Sequence, residues 1–234
     1  MKIIFAGTPN VSIPTLEQLL NSGYEVVGVV TREDSPVGRK KVLTPSPIAS
    51  FAEIHGLPVF KANVMSPDLE ETIRDLNADV GIVIAFGALL PSTFLNTTQH
   101  GWFNLHFSQL PTYRGAAPAQ WAIRNGDSST GSTLFKIDEG LDTGDVFSQS
   151  HCDILPNETS GQLLERMSHE CGKQVLSLLA ALEKFGSVTL TPQQGDSSLA
   201  PKLRSDDGQL DLSYPSSIVY DRFRSVTTEP GAFI

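Results

Sequence analysis

The chain of 234 residues carries 26 acidic and 17 basic side chains, a formal net charge of −9, and 40% hydrophobic residues. This balance excludes a disordered chain and a protein whose whole surface binds nucleic acid. Cys152 and Cys171 are not in a Cys-x-x-Cys spacing, so we expect neither a disulfide framework nor a cysteine zinc site. The first apolar run is too short for a signal sequence, and no run could span a bilayer. We therefore expect a cytoplasmic protein without a membrane segment.

The N-terminal part of the chain predicts strands that alternate with helices. Residues 2–6 form an apolar run that ends in a turn, a helical pattern follows, and residues 25–31 are rich in β-branched side chains. This order predicts a βαβ unit, and the apolar run at 79–85 continues it. The predicted fold class is α/β: a Rossmann-like, mostly parallel sheet with helices on both faces. The first turn holds a single glycine, Gly7, so the dinucleotide fingerprint is absent and a nicotinamide dehydrogenase is disfavoured.

A basic loop follows the second predicted strand. Residues 32–47 contain Arg39, Lys40 and Lys41, followed by a Pro-Ser-Pro sequence. Most such loops are solvated connections between elements. On an acidic protein, however, a basic loop can also contact phosphates, because cationic side chains supply much of the affinity for nucleic acid. The residues by themselves leave both interpretations open.

Two polar side chains share one face of the strand predicted at 102–106. Side chains two residues apart in a strand point to the same side, so Asn104 and His106 lie opposite three apolar neighbours. Ligands bind at the carboxyl ends of strands in open α/β sheets, and the strand ends near Gly7, Phe86 and His106 should meet there. An Asn-x-His pair alone is more often structural than catalytic.

A carboxylate that could act with this pair lies in a glycine-bracketed turn. The turn at 140–144, Gly-Leu-Asp-Thr-Gly, separates two runs predicted as strands of a hairpin-like return, 132–138 and 145–150. Such a carboxylate is usually only a turn residue. If Asp142 reaches His106, it favours the protonated imidazole and orients it. An amide and an imidazole donor together are suited to holding an oxyanion.

The C-terminal part predicts a division into domains. Residues 191–211 are rich in Gln, Ser, Asp, Pro and Gly, a composition typical of a linker. We expect a catalytic domain over 1–190, a linker over 191–212 and the start of a truncated second domain over 213–234.

Several motifs resemble the formyltransferases that use 10-formyltetrahydrofolate. They are Asn-Leu-His-Phe-Ser-Gln-Leu-Pro at 104–111, Tyr-Arg-Gly at 113–115 and Gly-Leu-Asp-Thr-Gly at 140–144. Other sequences resemble the branch of this family that acts on initiator methionyl-tRNA. These are Phe-Ala-Gly-Thr-Pro at 5–9, Pro-Ser-Pro at 45–47, Arg-Gly-Ala-Ala-Pro at 114–118 and Gly-Asp with Thr-Gly at 126–131. The motifs keep the family's order and spacing over nearly the whole chain.

The resemblance implies catalytic roles for Asn104, His106 and Asp142 in moving a formyl group from the folate to an amine. In this family the Asn and the His steady the oxyanion. The Asp keeps the His protonated and, through water, helps to move the proton of the attacking amine. The formyl donor is the one cofactor implied, and no metal is implied.

The resemblance also implies which residues contact the folate. The loop after the strand predicted at 102–106 supplies one set of contacts. The segment after the strand predicted at 79–85 supplies an apolar wall for the pterin. These residues are Ser108, Gln109, Leu110 and Pro111, with Phe86, Leu89 and Leu90. Gln109 departs from the family, which usually has Leu at this position. Its side chain could change the folate wall or simply face solvent.

The partner implied for the basic loop is the acceptor end of initiator tRNA, contacted by Arg39, Lys40 and Lys41. A short basic loop suits recognition of splayed bases and phosphates. Relatives acting on glycinamide ribonucleotide lack the Pro-Ser-Pro insertion. The resemblance further implies a C-terminal β-barrel domain, and we expect a monomer. Two alternatives stay open: formyl transfer to a small amine, such as glycinamide ribonucleotide or a sugar amine, and a folate-binding module without catalysis.

Overall fold

The computed structural model describes residues 1–38, 40–227 and 229–234. The strands are β1 (Lys2–Gly7), β2 (Glu25–Thr31), β3 (Ser35–Val37), β4 (Val42–Thr44), β5 (Val59–Lys61), β6 (Val80–Ile84), β7 (Trp102–His106), β8 (Ser129–Lys136) and β9 (Val146–Asp153). The helices are α1 (Ile13–Asn21), α2 (Pro47–Ile54), α3 (Pro67–Asp75), α4 (Ser92–Leu95), α5 (Pro118–Arg124), α6 (Ser160–Phe185) and α7 (Ser216–Ser225). Short 3-10 turns lie at Asn10–Ser12 and Ser205–Gly208.

Seven strands form one sheet in the order β5-β2-β1-β6-β7-β8-β9. The five strands from β5 to β7 pair in parallel, whereas β8 pairs antiparallel to β7 and β9 antiparallel to β8. The central strands are apolar and buried, as expected for parallel strands covered on both faces. The predicted α/β class with a mostly parallel sheet is confirmed.

Helices cover both faces of this sheet, and each face has its own apolar core. The core on one face contains buried residues of α1, α2, α5 and α6, among them Leu16, Ala52, Ile123 and Met167. The core on the other face contains Ile73 of α3, together with residues of α4. The doubly covered sheet follows from the apolar stripes of these helices, which must be buried against the strands.

The side chains of β7 alternate between these two cores. Phe103 and Leu105 lie in the first core, as does Phe107 just after the strand, and Trp102 lies in the second. Trp102 packs against Gly81 of β6, where a Cβ atom would lie 2.1 Å from the indole ring. The predicted alternation is confirmed, and it puts the even-numbered residues of β7 on the face of the second core.

The basic loop contains two short strands that the sequence did not predict. β3 and β4 pair antiparallel in a separate two-stranded sheet, which we call the β3–β4 hairpin (residues 35–44). Gly38, at φ +70°, lies just after β3, and its carbonyl accepts a hydrogen bond of 3.1 Å from the N–H of Lys41. The apolar side chains of Val37, Val42 and Leu43 are exposed on this hairpin.

The segment 191–212 has specific contacts with the rest of the fold. Thr191 pairs with Val146 of β9, and Leu199 pairs with Arg114. Farther along the chain, the buried guanidinium of Arg224 on α7 donates to the carbonyl oxygens of Leu155 and Glu158. The division of the chain into domains stays a prediction. Within the described residues, no helix has the length and apolar character needed to cross a membrane.

Candidate active site

Three parallel strands end side by side at one edge of the sheet. Gly7 of β1 pairs with Ile84 of β6, and Val83 of β6 pairs with Asn104 of β7. The predicted meeting of these strand ends is confirmed. The loops that follow the strands therefore surround the carboxyl end of β7, where ligands bind in open α/β sheets.

His106, the last residue of β7, is 5% exposed and has a fixed orientation. Its Nε2 atom lies 2.8 Å from the carbonyl oxygen of Tyr113. Because a carbonyl oxygen can only accept a hydrogen bond, Nε2 carries a hydrogen and donates it. The other ring nitrogen, Nδ1, lies 3.8 Å from Oδ2 of Asp142. The structure thus brings together the predicted imidazole and carboxylate.

Burial lowers the pKa of His106 from its ordinary value of 6.5, because the charged imidazole loses its solvation. The negative charge of Asp142 and the Tyr113 carbonyl both act to raise this pKa, but burial is the larger effect. The lowered pKa favours the neutral form of the imidazole, in which Nδ1 carries a lone pair. The role of Asp142 in keeping His106 protonated stays a prediction, and the burial of the ring acts against it.

Asp142 owes its position to backbone contacts. Its φ of +52° lies in the left-handed region that side-chain-bearing residues rarely adopt. The Oδ2 atom accepts a hydrogen bond of 2.8 Å from the backbone N–H of Gly115. At Gly115, with φ +122°, a Cβ atom would lie 2.8 Å from the carbonyl oxygen of Ala200. A glycine therefore lets the N–H of this loop reach the carboxylate.

Asn104 lies on the same face of β7 as His106, and its side chain is half-buried. Its backbone pairs with Val83 on one side and Phe135 on the other, so a central strand fixes its direction. Within the described part of the chain, its carboxamide makes no side-chain hydrogen bond. Both N–H groups of this amide are available to an oxygen of a bound molecule.

The loop predicted to contact folate is packed by its own side chains. The buried hydroxyl of Ser108 donates to the carbonyl of Thr112 at 2.6 Å. Leu110 is buried, and so is Pro111, which follows it. Gln109 is half-buried, and its Nε2 donates to the carbonyl of Ser150 on β9 at 3.1 Å. Gln109 thus ties the loop to β9 instead of facing solvent.

The residues of the second predicted folate wall differ in their exposure. Phe86 is 2% exposed and packs in the second core, because the chain turns sharply at Ala85 (φ +48°) and Gly87 (φ +79°) on either side of it. Leu89 is 81% exposed, and Leu90 is half-buried. Phe86 therefore lies in the core with Leu90 packed against that core, and Leu89 is the residue of this set that is open to solvent.

Two of the three predicted basic residues, Lys40 and Lys41, lie at the tip of the β3–β4 hairpin. Lys40 and Lys41 are exposed, and Lys41 adopts φ +48°. Arg39, the third predicted residue, lies outside the described residues. Both described lysines can therefore reach a large ligand.

Sequence reasoning missed three contributors to the site: the carbonyl of Tyr113, the N–H of Gly115 and the side chain of Gln193. Gln193 donates to the carbonyl of Asp142 at 2.8 Å and comes from the segment predicted as a linker. The first two lie inside the Tyr-Arg-Gly motif, which identified the loop but not its backbone roles. Gln193 has no sequence feature that distinguishes it from the adjacent Gln194.

Comparison with known proteins gives the family. The family described as formyl transferase matches residues 1–179. The methionyl-tRNA formyltransferase of Renibacterium salmoninarum is 47% identical over 233 residues, which cover 100% of this chain and 76% of that protein.

Two solved structures have the same fold. A sugar 3N-formyl transferase, solved in the presence of dTDP and 5-N-formyl-THF, matches with a TM-score of 0.76 and 21% identity, covering 100% of this chain and 82% of that one. Methionyl-tRNA formyltransferase from Clostridium thermocellum matches with a TM-score of 0.66 and 17% identity, covering 96% of this chain and 82% of that one. The fold and the sequence agree, and the chain belongs to the formyl transferase family, within the group of methionyl-tRNA formyltransferases.

Proposed function

We propose that this protein transfers the formyl group of 10-formyltetrahydrofolate to the amino group of initiator methionyl-tRNA, for translation initiation. One observation carries the proposal. Asn104 lies beside His106, whose Nδ1 is 3.8 Å from Asp142, at the carboxyl edge of the sheet. Similarity to methionyl-tRNA formyltransferases supports the choice of acceptor.

The chemistry of these side chains fits a formyl donor. When bound, the formylfolate supplies an activated carbonyl carbon. A carbonyl that becomes tetrahedral develops negative charge on its oxygen, which a site stabilises with preorganised N–H donors. The carboxamide of Asn104 is such a donor, and the exposed Leu89 with the half-buried Leu90 gives apolar surface for a ring.

In this proposal Asn104 donates to the formyl oxygen as its negative charge grows. The strand pairing on both sides of Asn104 fixes the direction of the amide before the reaction, so little reorganisation is needed. One such donor lowers a barrier by about 3 kcal/mol.

His106 acts as the base in its neutral form. As the new N–C bond forms, Nδ1 accepts the proton that leaves the attacking amine, while Nε2 keeps its hydrogen bond to Tyr113. Asp142 then stabilises the imidazolium through its negative charge. When the bond between the formyl carbon and the folate nitrogen breaks, the imidazolium returns the proton to that nitrogen.

Acceptor recognition is assigned to the tip of the β3–β4 hairpin. The chain has a net charge of −9, so an exposed pair of lysines is a local exception. Lys40 and Lys41 would contact phosphates near the acceptor end, together with Arg39, which precedes them in the sequence. We expect the protein to act as a monomer in the cytoplasm, the compartment in which charged tRNA is present.

The test is an assay with three acceptors. The chain is incubated with 10-formyltetrahydrofolate and methionyl initiator tRNA, and formyl-methionine is measured after hydrolysis of the ester. Parallel reactions contain glycinamide ribonucleotide or a dTDP-linked amino sugar. Of the three acceptors, we expect only the tRNA to give a formylated product. A higher kcat/KM with a small amine would contradict the proposed acceptor, and folate binding without turnover on any amine would indicate a binding module.

A further inference from the structure

The segment 191–200 contacts both loops that surround the candidate active site. At one end, Thr191 and Val146 exchange backbone hydrogen bonds of 2.8 and 2.9 Å at the start of β9. At the other end, the N–H of Arg114 donates to Ser198 at 2.8 Å, and the N–H of Ala200 donates to Arg114 at 2.7 Å. The segment is therefore fixed on each side of the site, and the residues between these anchors have a defined path.

Gln193 lies between the two anchors and uses its whole carboxamide. Its Oε1 atom accepts two hydrogen bonds from the guanidinium of Arg114, at 2.6 Å from Nη2 and 3.2 Å from Nε. Its Nε2 atom donates to the carbonyls of Asp142 at 2.8 Å and Gly144 at 3.0 Å. A carboxamide offers two acceptor lone pairs and two N–H groups, so every bonding position is filled.

These contacts hold a backbone that is unfavourable by itself. Asp142, at φ +52°, has a conformation that persists only where the surroundings impose it. Gln193 binds its carbonyl from one side, and the N–H of Gly115 binds its carboxylate from the other. Both contacts come from outside the 140–144 turn. The carboxylate of Asp138, just before the turn, accepts from the N–H of Gly140 and from the Thr143 hydroxyl, and neither bond involves Asp142.

We propose that Gln193 is a positioning residue for formyl transfer: together with Arg114 it holds Asp142 so that the carboxylate faces Nδ1 of His106. The expected kinetic effects rest on the proposed function. The expected effect of Gln193 on the position of Asp142 does not depend on it. This position of Gln193 also gives the segment predicted as a linker a role in the active site. A purely structural role for Gln193 predicts a loss of stability without a change in the properties of His106.

The experiment compares two variants with a neighbouring control. Gln193→Ala removes all four hydrogen bonds. Gln193→Glu keeps an acceptor for Arg114 but replaces the two N–H donors with an oxygen that repels the carbonyls of Asp142 and Gly144. Gln194→Ala alters an exposed glutamine on the same segment and serves as the matched control.

We expect Gln193→Ala and Gln193→Glu to lower kcat by up to about 100-fold, as small misplacements of catalytic groups do, with little change in either KM. Gln194→Ala should keep the wild-type rate. In both Gln193 variants the pKa of His106, followed by NMR of the imidazole, should shift to a lower value, because the carboxylate that raises it has moved away.

A wild-type kcat and an unchanged His106 titration in Gln193→Glu would overturn the proposal, and so would an equal loss of rate in Gln194→Ala. If Gln193→Ala does not fold, Gln193→Glu carries the test, since it keeps the contact with Arg114. If the wild-type chain formylates no amine, the proposed function fails. The NMR comparison of His106 in the wild type and the variants then still decides whether Gln193 positions Asp142.

Discussion

The carboxyl end of β7 and the β3–β4 hairpin are both assigned to substrates, yet they are built in opposite ways. β7 pairs with a strand on each side, and its side chains fill two cores. β3 and β4 have three residues each, pair with each other and expose their apolar side chains. Two-stranded hairpins have little stability of their own. The difference fits the two proposed roles, since reacting groups need a rigid support, whereas phosphate contacts do not.

This contrast predicts separate kinetic effects. Changes at β7 should lower kcat, because they remove groups that act in the transition state. Changes at the hairpin should raise the KM for tRNA and leave the folate site unaffected. A hairpin variant that lowers kcat, or a β7 variant that alters only KM, would break the comparison.

The largest effect is expected for His106→Ala. Removing the base should lower the single-turnover rate of formylation by about 10²- to 10⁴-fold. Binding of the folate, measured by fluorescence titration, should change little, since the imidazole acts on the proton of the amine. An unchanged turnover would refute the proposed mechanism. The thermal unfolding midpoint must also be recorded, because His106 is buried and bonded to Tyr113.

A somewhat smaller loss is expected for Asn104→Ala. The variant removes one donor to the oxyanion and should lower kcat by about 10²- to 10³-fold. Asn104→Asp is the informative companion, since it keeps the size of the side chain but places a negative charge beside the developing oxyanion. We expect it to be at least as slow as the alanine variant. Activity close to the wild type in Asn104→Asp would exclude an oxyanion contact at this position.

Substitutions in the β3–β4 hairpin should have a moderate effect, on the KM for tRNA and not on kcat. The double variant Lys40→Glu and Lys41→Glu should raise the KM for tRNA by about tenfold and reduce the salt dependence of log KM by about one per lysine. The KM for formylfolate should stay the same. Lys173→Glu with Lys184→Glu, on the exposed side of α6, changes the net charge equally and is the control. Equal losses in the two double variants would mean that overall charge matters and the hairpin does not.

The sequence predicts β7 well because its information is local. Alternation of apolar and polar residues over five positions is sufficient to place Asn104 and His106 on one face, and the pairing partners only confirm it. The βαβ units are likewise predicted by the hydrophobic periodicity of successive segments. The same local reasoning predicts no strands in the β3–β4 hairpin, since three-residue strands, one of them containing Pro36, are too short to show a period.

Other features depend on contacts that a local pattern does not contain. Gln193 contacts Arg114 and Asp142, which are 79 and 51 positions away in the chain, and nothing in its neighbourhood indicates this path. Phe86 enters the core because of backbone angles at Ala85 and Gly87. The charge state of His106 depends on how deeply the ring is buried, which residue type alone does not reveal. Tertiary packing therefore decides both the support of Asp142 and the protonation of its partner.

The smallest effect concerns pH and tests the protonation of His106 directly. The pKa of His106 is lowered below 6.5 by burial, so a neutral base loses activity only as the pH falls through that lower pKa. The acidic limb of the kcat profile should therefore lie below pH 6.5. Asp142→Asn removes the charge that raises the pKa, and the limb should move to lower pH.

Asp142→Asn will also be slower, so the profile is normalised to its own plateau. The asparagine keeps an oxygen that can accept from the N–H of Gly115, and the turn should be retained. If the wild-type rate instead declines as the pH rises through the pKa of His106, His106 acts as a cation and donates to the oxyanion. In that case Asp142→Asn would bring the decline to a lower pH, so the same two profiles distinguish a base from an acid at Nδ1.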